Sequence, residues 1–205
     1  MTREILIREG GRIEKDANGE EVFVIPVKAP KPNALELSWD PGPIAGSVYS
    51  EEDMEKILYS KFMQQAVDRL FPGWTAGDTG PDMNPGFNNS VRGKKNILVT
   101  HPVDIVNPCV LSTTVDIPKN KKTMLRLVVG HHEIGDWDLI IRVNGTIQKT
   151  VEISNKLTNN SGWAEVTFDL TPFAGNQKVK IDLENKASGW SFEAGYWAEI
   201  EIKSK

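Results

Sequence analysis

From Trp74 to the C-terminus, apolar and polar residues alternate in short runs divided by Gly, Asn and Pro. A side-chain period of two suits a β-strand and no helix. Leu125, Leu127 and Val129 share one face of such a run. Leu139, Ile141 and Val143 repeat the pattern, as do Val166, Phe168 and Leu170. In Lys178-Val179-Lys180-Ile181-Asp182-Leu183 the charges point one way and the apolar residues the other, which describes a sheet with one face in water. Candidate strands cover residues 96–100, 109–117, 123–129, 138–143, 146–153, 163–170, 178–184 and 196–202. Asn144-Gly145, between two of them, is a strong signal for a two-residue hairpin. Nothing helical separates these runs, so parallel βαβ units are excluded. The expected fold is an all-β, antiparallel two-sheet sandwich.

The first third follows other rules. Glu4-Ile5-Leu6-Ile7-Arg8 and Val22-Phe23-Val24-Ile25-Pro26-Val27 read as strands of a β-hairpin, with turn residues at Gly10-Gly11 and Ala17-Asn18-Gly19 between them. Pro30, Pro32, Pro41 and Pro43 deny residues 28–46 a regular ladder and mark an extended connector. Ser50-Glu51-Glu52-Asp53 is a helix start, with a hydroxyl cap and acids at the positive end of the dipole. Met54, Ile57, Leu58, Phe62, Ala66 and Leu70 form the apolar stripe of one amphipathic helix over 51–70, which Pro72-Gly73 ends. The expected organisation is therefore an N-terminal extension over 1–71, packed on a sandwich over 72–205.

Charge and cysteine content narrow the function classes. The 205 residues carry a net charge of -4 and no Lys/Arg run, so a nucleic-acid partner has no electrostatic footprint. No apolar stretch is long enough for membrane insertion, and residues 1–12 lack the apolar core of a signal peptide. The single Cys109 forms neither an internal disulfide nor a cysteine zinc site; its apolar neighbours make it a core residue.

Three passages resemble the galactose-binding-domain-like jelly rolls that accompany secreted bacterial carbohydrate enzymes. They are Asp138-Leu139-Ile140-Ile141-Arg142-Val143-Asn144-Gly145, then Phe168-Asp169-Leu170-Thr171-Pro172-Phe173-Ala174-Gly175 with the strand to Asn185, then Gly189-Trp190-Ser191-Phe192-Glu193 running into 196–200. The likeness covers about residues 74–205 and leaves 1–71 unmatched. It implies a jelly-roll sandwich serving as a carbohydrate-binding accessory module of a larger extracellular or periplasmic protein. Hosts in this superfamily also include protein binders and spacers, so fold is implied more strongly than ligand.

Aromatic side chains are the candidate platforms, because an exposed indole offers a flat face to a sugar ring while amides and carboxylates bond its hydroxyls. Trp137, in Gly135-Asp136-Trp137-Asp138, is the first choice; Trp74 and Trp190 also follow glycine near loops. Asp136, His131 and His132 are expected to supply polar contacts. Asp78, Asp82, Asn84 and Arg92, in the oxygen-rich segment that follows Gly77, form the other wall. Related modules hold structural calcium, for which Asp78 and Asp82 are the candidate ligands; no cofactor is required. Alternation places Trp163 on the sheet surface with Glu165, and Trp197 beside Glu199 and Glu201, opposite Ala198, Ile200 and Ile202.

Evidence for catalysis is thin. His131 and His132 are consecutive and leave opposite faces of a strand, so they do not chelate one metal. His131 continues the Leu125 to Val129 face as a rim histidine. Convergence of His101 and His131 with Asp136 would make a polar pocket and allow a hydrolase. Gly189-Trp190-Ser191-Phe192-Glu193 lacks the second glycine of a nucleophile elbow. The leading expectation is a noncatalytic module that binds a polysaccharide or oligosaccharide. A structural or protein-interaction module, with a protein partner on the N-terminal extension, comes second, and the hydrolase third.

Overall fold

The computed structural model describes Arg12–Lys15, Glu21–Val24 and residues 51–205, with side chains from Tyr59 onward. Met1–Glu55 and Lys56–Lys205 are separate compact units. In the first, β1 (Arg12–Lys15) and β2 (Glu21–Val24) pair antiparallel from Arg12↔Val24 to Lys15↔Glu21. Strand β2 overlaps the expected strand over 22–27, and its partner β1 lies between the two expected turn segments, where loop closure costs less entropy. The expected strand at Glu4-Arg8, the connector over 28–46 and the Ser50 cap lie outside the described residues.

From Tyr59 onward, helix α1 (Glu51–Leu70) packs Ala66 and Leu70 of the expected stripe together with Met63 and Val67, and leaves Phe62 out; the side chains of Met54, Ile57 and Leu58 lie outside the described residues. Met63, Ala66 and Val67 are buried with Phe71, Leu70 packs against them, and Phe62 is half exposed. Positions 63, 66, 67 and 70 follow the three-and-four spacing of one helical face, whereas 62 stands about 100° away from 63. Gln64 docks the helix to the strand Thr75–Ala76 and its approach: its Oε1 accepts from Ala76 N at 2.8 Å and its Nε2 donates to Trp74 O at 3.2 Å.

All eight expected sandwich strands form: β5 (Lys94–Thr100), β6 (Cys109–Val115), β7 (Thr123–His131), β8 (Trp137–Val143), β9 (Thr146–Ile153), β10 (Trp163–Asp169), β11 (Val179–Lys186) and β12 (Gly195–Ser204). Two more precede them, β3 (Thr75–Ala76) and β4 (Gly86–Val91), and a short helix α2 (Asn155–Thr158) follows β9. One antiparallel sheet has the order β10-β7-β12-β5-β4 and the other β3-β6-β11-β8-β9. Without the two added edge strands, β5 to β12 run β5-β12-β7-β10 and β6-β11-β8-β9, the strand order of a jelly roll. The β8–β9 hairpin turns at Asn144-Gly145 with positive φ at both residues, 50° and 79°, as the two-residue turn demands. Strand β4 was hidden in sequence because Asn88, Asn89 and Ser90 lack apolar alternation; its pairing with β5 supplies what propensity does not.

The core lies between the sheets. Leu125, Leu127 and Val129 of β7 meet Leu139, Ile141 and Val143 of β8 and Ile181 and Leu183 of β11, all essentially without solvent. Trp197 corrects the expected parity of β12. It pairs with Val129 while Glu199 pairs with Val128, so Ala198 is the extra residue of a bulge. Trp197 consequently turns inward on the same side as Ile200 and Ile202, and away from Glu199 and Glu201.

Candidate functional site

Antiparallel pairing gathers a set of loops at one end of the sandwich. Gly195 at the start of β12 is level with Thr100 and His131, and Asn185 near the end of β11 is level with Cys109 and Leu139. Loops 101–108, 132–136 and 187–194 therefore share one rim. Loop 77–85 joins them through Gly80 N donating to His101 O at 3.1 Å.

Loop 187–194 is held from beneath by one side chain. Glu193 is 2 % exposed, and its carboxyl oxygens accept from Ser188 N at 3.0 Å, Gly189 N at 3.2 Å and Ser191 N at 3.1 Å. Three backbone donors closing on one carboxyl group fix the loop as a compact turn. Two aromatic rings ride on that turn, Trp190 at 49 % exposure and Phe192 at 41 %. Each meets a histidine: His101 stands edge-on to Trp190 with ring centroids 5.4 Å apart, and His132 stacks on Phe192 at 4.7 Å. Gly135 makes the second contact feasible, because a Cβ there would collide with the Phe192 backbone. Ser188 Oγ donates to Asp136 Oδ1, tying the loop to the start of β8.

Several expected site residues lie elsewhere. Trp137, the first choice, has no exposure: its Nε1 donates to Gly130 O at 2.9 Å and its ring packs 5.2 Å from Trp197. It is in phase with Leu139, Ile141 and Val143, and so belongs to the core face. Trp74 is buried in the same core. His131 is also sealed. Its Nδ1 lies 2.6 Å from His132 O and 2.8 Å from Gly135 O, and its Nε2 lies 3.1 Å from Thr158 Oγ1, whose hydroxyl donates to Ser154 O at 3.0 Å. His101 is buried, with Nδ1 2.8 Å from Pro102 O. Both ring nitrogens of His131, and Nδ1 of His101, are thus engaged in structural bonds. Arg92 closes the β4–β5 turn and donates from Nη1 to His131 O at 3.1 Å. Asp78, Asp82 and Asn84 are exposed on loop 77–85. Among the described residues no three His, Cys, Asp or Glu side chains gather as a metal cluster. Of the expected residues, the rim brings together Trp190, His101, His132 and Asp136, with Asp78, Asp82 and Asn84 exposed on the adjoining loop 77–85.

Phe192, Ser188 and Glu193 were missed. The only signal in sequence is the placement of Glu193 just before a strand, after a loop of small polar residues. Charge at the rim is acidic. Asn107, through its side chain and then its backbone, and Val106 N hold the Asp104 carboxyl below the ordinary carboxylate range. Burial, with Glu152 opposite, pushes Asp138 up. On the outer face of the first sheet Arg126 binds Glu165 and Glu199, which raise its pKa, with Glu201 at 3.5 Å. The Glu199 and Glu201 pair is therefore a cross-strand ion cluster of the sheet surface.

No protein-family model matches the chain, and no curated protein sequence matches it. Among solved structures, the chain is similar to the CBM22-1 xylan-binding domain of Xyn10C from Paenibacillus barcinonensis, at 16% identity over 65% of this chain and 86% of that one, with TM-score 0.43. A CBM35 from the same organism aligns at 15% identity over 66% and 96%, with TM-score 0.41. A family 35 carbohydrate binding module from Clostridium thermocellum aligns at 14% over 64% and 92%, with TM-score 0.42. The jelly roll itself stands on the pairing of its own strands, and among the described residues no helix is long and apolar enough to cross a membrane.

Proposed function

We propose that residues 56–205 form a noncatalytic carbohydrate-binding module, an accessory domain of a larger secreted protein, with its ligand surface at the loop rim. The observation that carries the reading is the half-exposed Trp190 on a loop already ordered by Glu193. A preorganised ring loses little entropy on stacking, which is what a shallow sugar site requires. The indole supplies the flat apolar face. Asp136, Ser188 and the outer edge of His132 supply acceptors and donors for hydroxyl groups beside it. His101 buttresses the ring and sets its tilt. A protein-docking module is the competing class, and glycan retention separates the two.

Affinity electrophoresis through gels containing neutral polysaccharides tests the proposal. The native chain is expected to be retarded by at least one of them. Trp190→Ala is expected to lose about tenfold or more in affinity, the scale of one aromatic stacking contact, with an unchanged far-ultraviolet spectrum. Absence of retardation on every glycan, or equal retardation of the variant, overturns it.

A further inference from the structure

We propose that this rim takes a neutral glycan carrying acyl or methyl substituents, an inference that rests on the carbohydrate reading above. The aromatic loop is flanked on both sides by segments of the same construction. On one side His101 touches Trp190 and is followed by Pro102-Val103-Asp104-Ile105-Val106; on the other His132 touches Phe192 and is followed by Glu133-Ile134-Gly135-Asp136. Each flank presents aliphatic side chains to solvent beside carboxylates. Val106 is 70 % exposed, Ile134 68 % and Ile105 58 %.

A sugar decorated only with hydroxyl groups has nothing to gain from such neighbours, because pressing a hydroxyl against an aliphatic surface removes its water and offers no partner. An acetyl or methyl group gains there, by about fourfold in affinity for each methyl removed from water. The acids set the other boundary. Asp104 is held ionised by Asn107 and Val106, and Glu133 is exposed on the opposite flank. A uronate or sulfate brought to the ring would meet like charge on both sides. Aliphatic contacts and acidic flanks thus select together for uncharged, substituted chains.

Titration calorimetry with acetylated glucomannan, the same polymer after alkaline deacetylation, and polygalacturonate tests this. The expected result is at least about fourfold tighter binding of the acetylated form. Ile134→Ser and Val106→Ser are expected to bring that ratio towards one while leaving affinity for the deacetylated polymer unchanged. Equal affinity of the native chain for both forms, lost in Trp190→Ala, overturns the substituent preference and leaves the module reading standing. Tighter binding of polygalacturonate overturns the preference as well. Binding of neither neutral form, with none of the wider neutral panel retained, overturns both.

Discussion

Glu193 has almost no contact with water, yet it orders a loop whose other members are mostly exposed. Removing it frees three amide groups that regain water, so the cost falls below that of a deeply buried network. Glu193→Ala is expected to lower stability by about 2 kcal/mol in urea unfolding. Hydrogen exchange is expected to quicken at Ser188, Gly189 and Ser191 while the amides of β7 and β8 keep their protection; unchanged exchange at those three sites would contradict the clamp. Trp137 shows what single residues disclose in sequence. Its burial was legible, since it continues the alternation of Leu139, Ile141 and Val143 by one step. The acids on either side concealed it, because they suggest a wet loop; Asp136 does lie in the rim loop, whereas Asp138 marks the outer face of the strand. Trp190 offers no comparable periodicity, and its exposure depends on where its loop is held.

Strands and helix add constraints that single residues lack. Asp138 of β8 faces Glu152 of β9, and its raised pKa follows from burial first and this like charge second. A carboxyl group with a raised folded pKa contributes stability below its unfolded pKa, and that contribution is lost as pH rises through the folded value. Asp138→Asn is therefore expected to stabilise the protein at pH 7, with the gain vanishing near pH 3. Urea midpoints at the two values check this, and an equal gain at both would refute it. The Ala198 bulge explains why the parity of Trp197 was not legible: alternation predicts faces only while pairing is regular, and one extra residue inverts everything beyond it. Phe62 of α1 departs from the expected stripe for a related reason. Phe62 and Met63 both fit an apolar stripe, and only the sheet edge they meet selects between them.

At the scale of the whole unit, two five-stranded sheets enclose one main core. Cys109 sits within it, and burial pushes its thiol up to about 12. Both access and thiolate formation demand opening of the sandwich. Labelling by a disulfide reagent at pH 8 is expected to be slow in the native state and to track global unfolding as urea rises. Rapid labelling without denaturant would show that the β6 end opens locally. The same closure decides the rim, since the loops around Trp190 come from three places far apart in the chain and meet only when both sheets have formed.

The amino-acid sequence by itself determined the secondary-structure class, eight of the ten sandwich strands, the Asn144-Gly145 turn and the antiparallel sandwich. All of these are written in local alternation and turn chemistry, which act over a few residues. Tertiary structure alone decided which tryptophan faces solvent, which face of α1 is covered and which histidines meet the aromatic loop. Those outcomes depend on register between distant strands and on a single bulge, and no local pattern encodes a pairing between residues sixty or ninety positions apart.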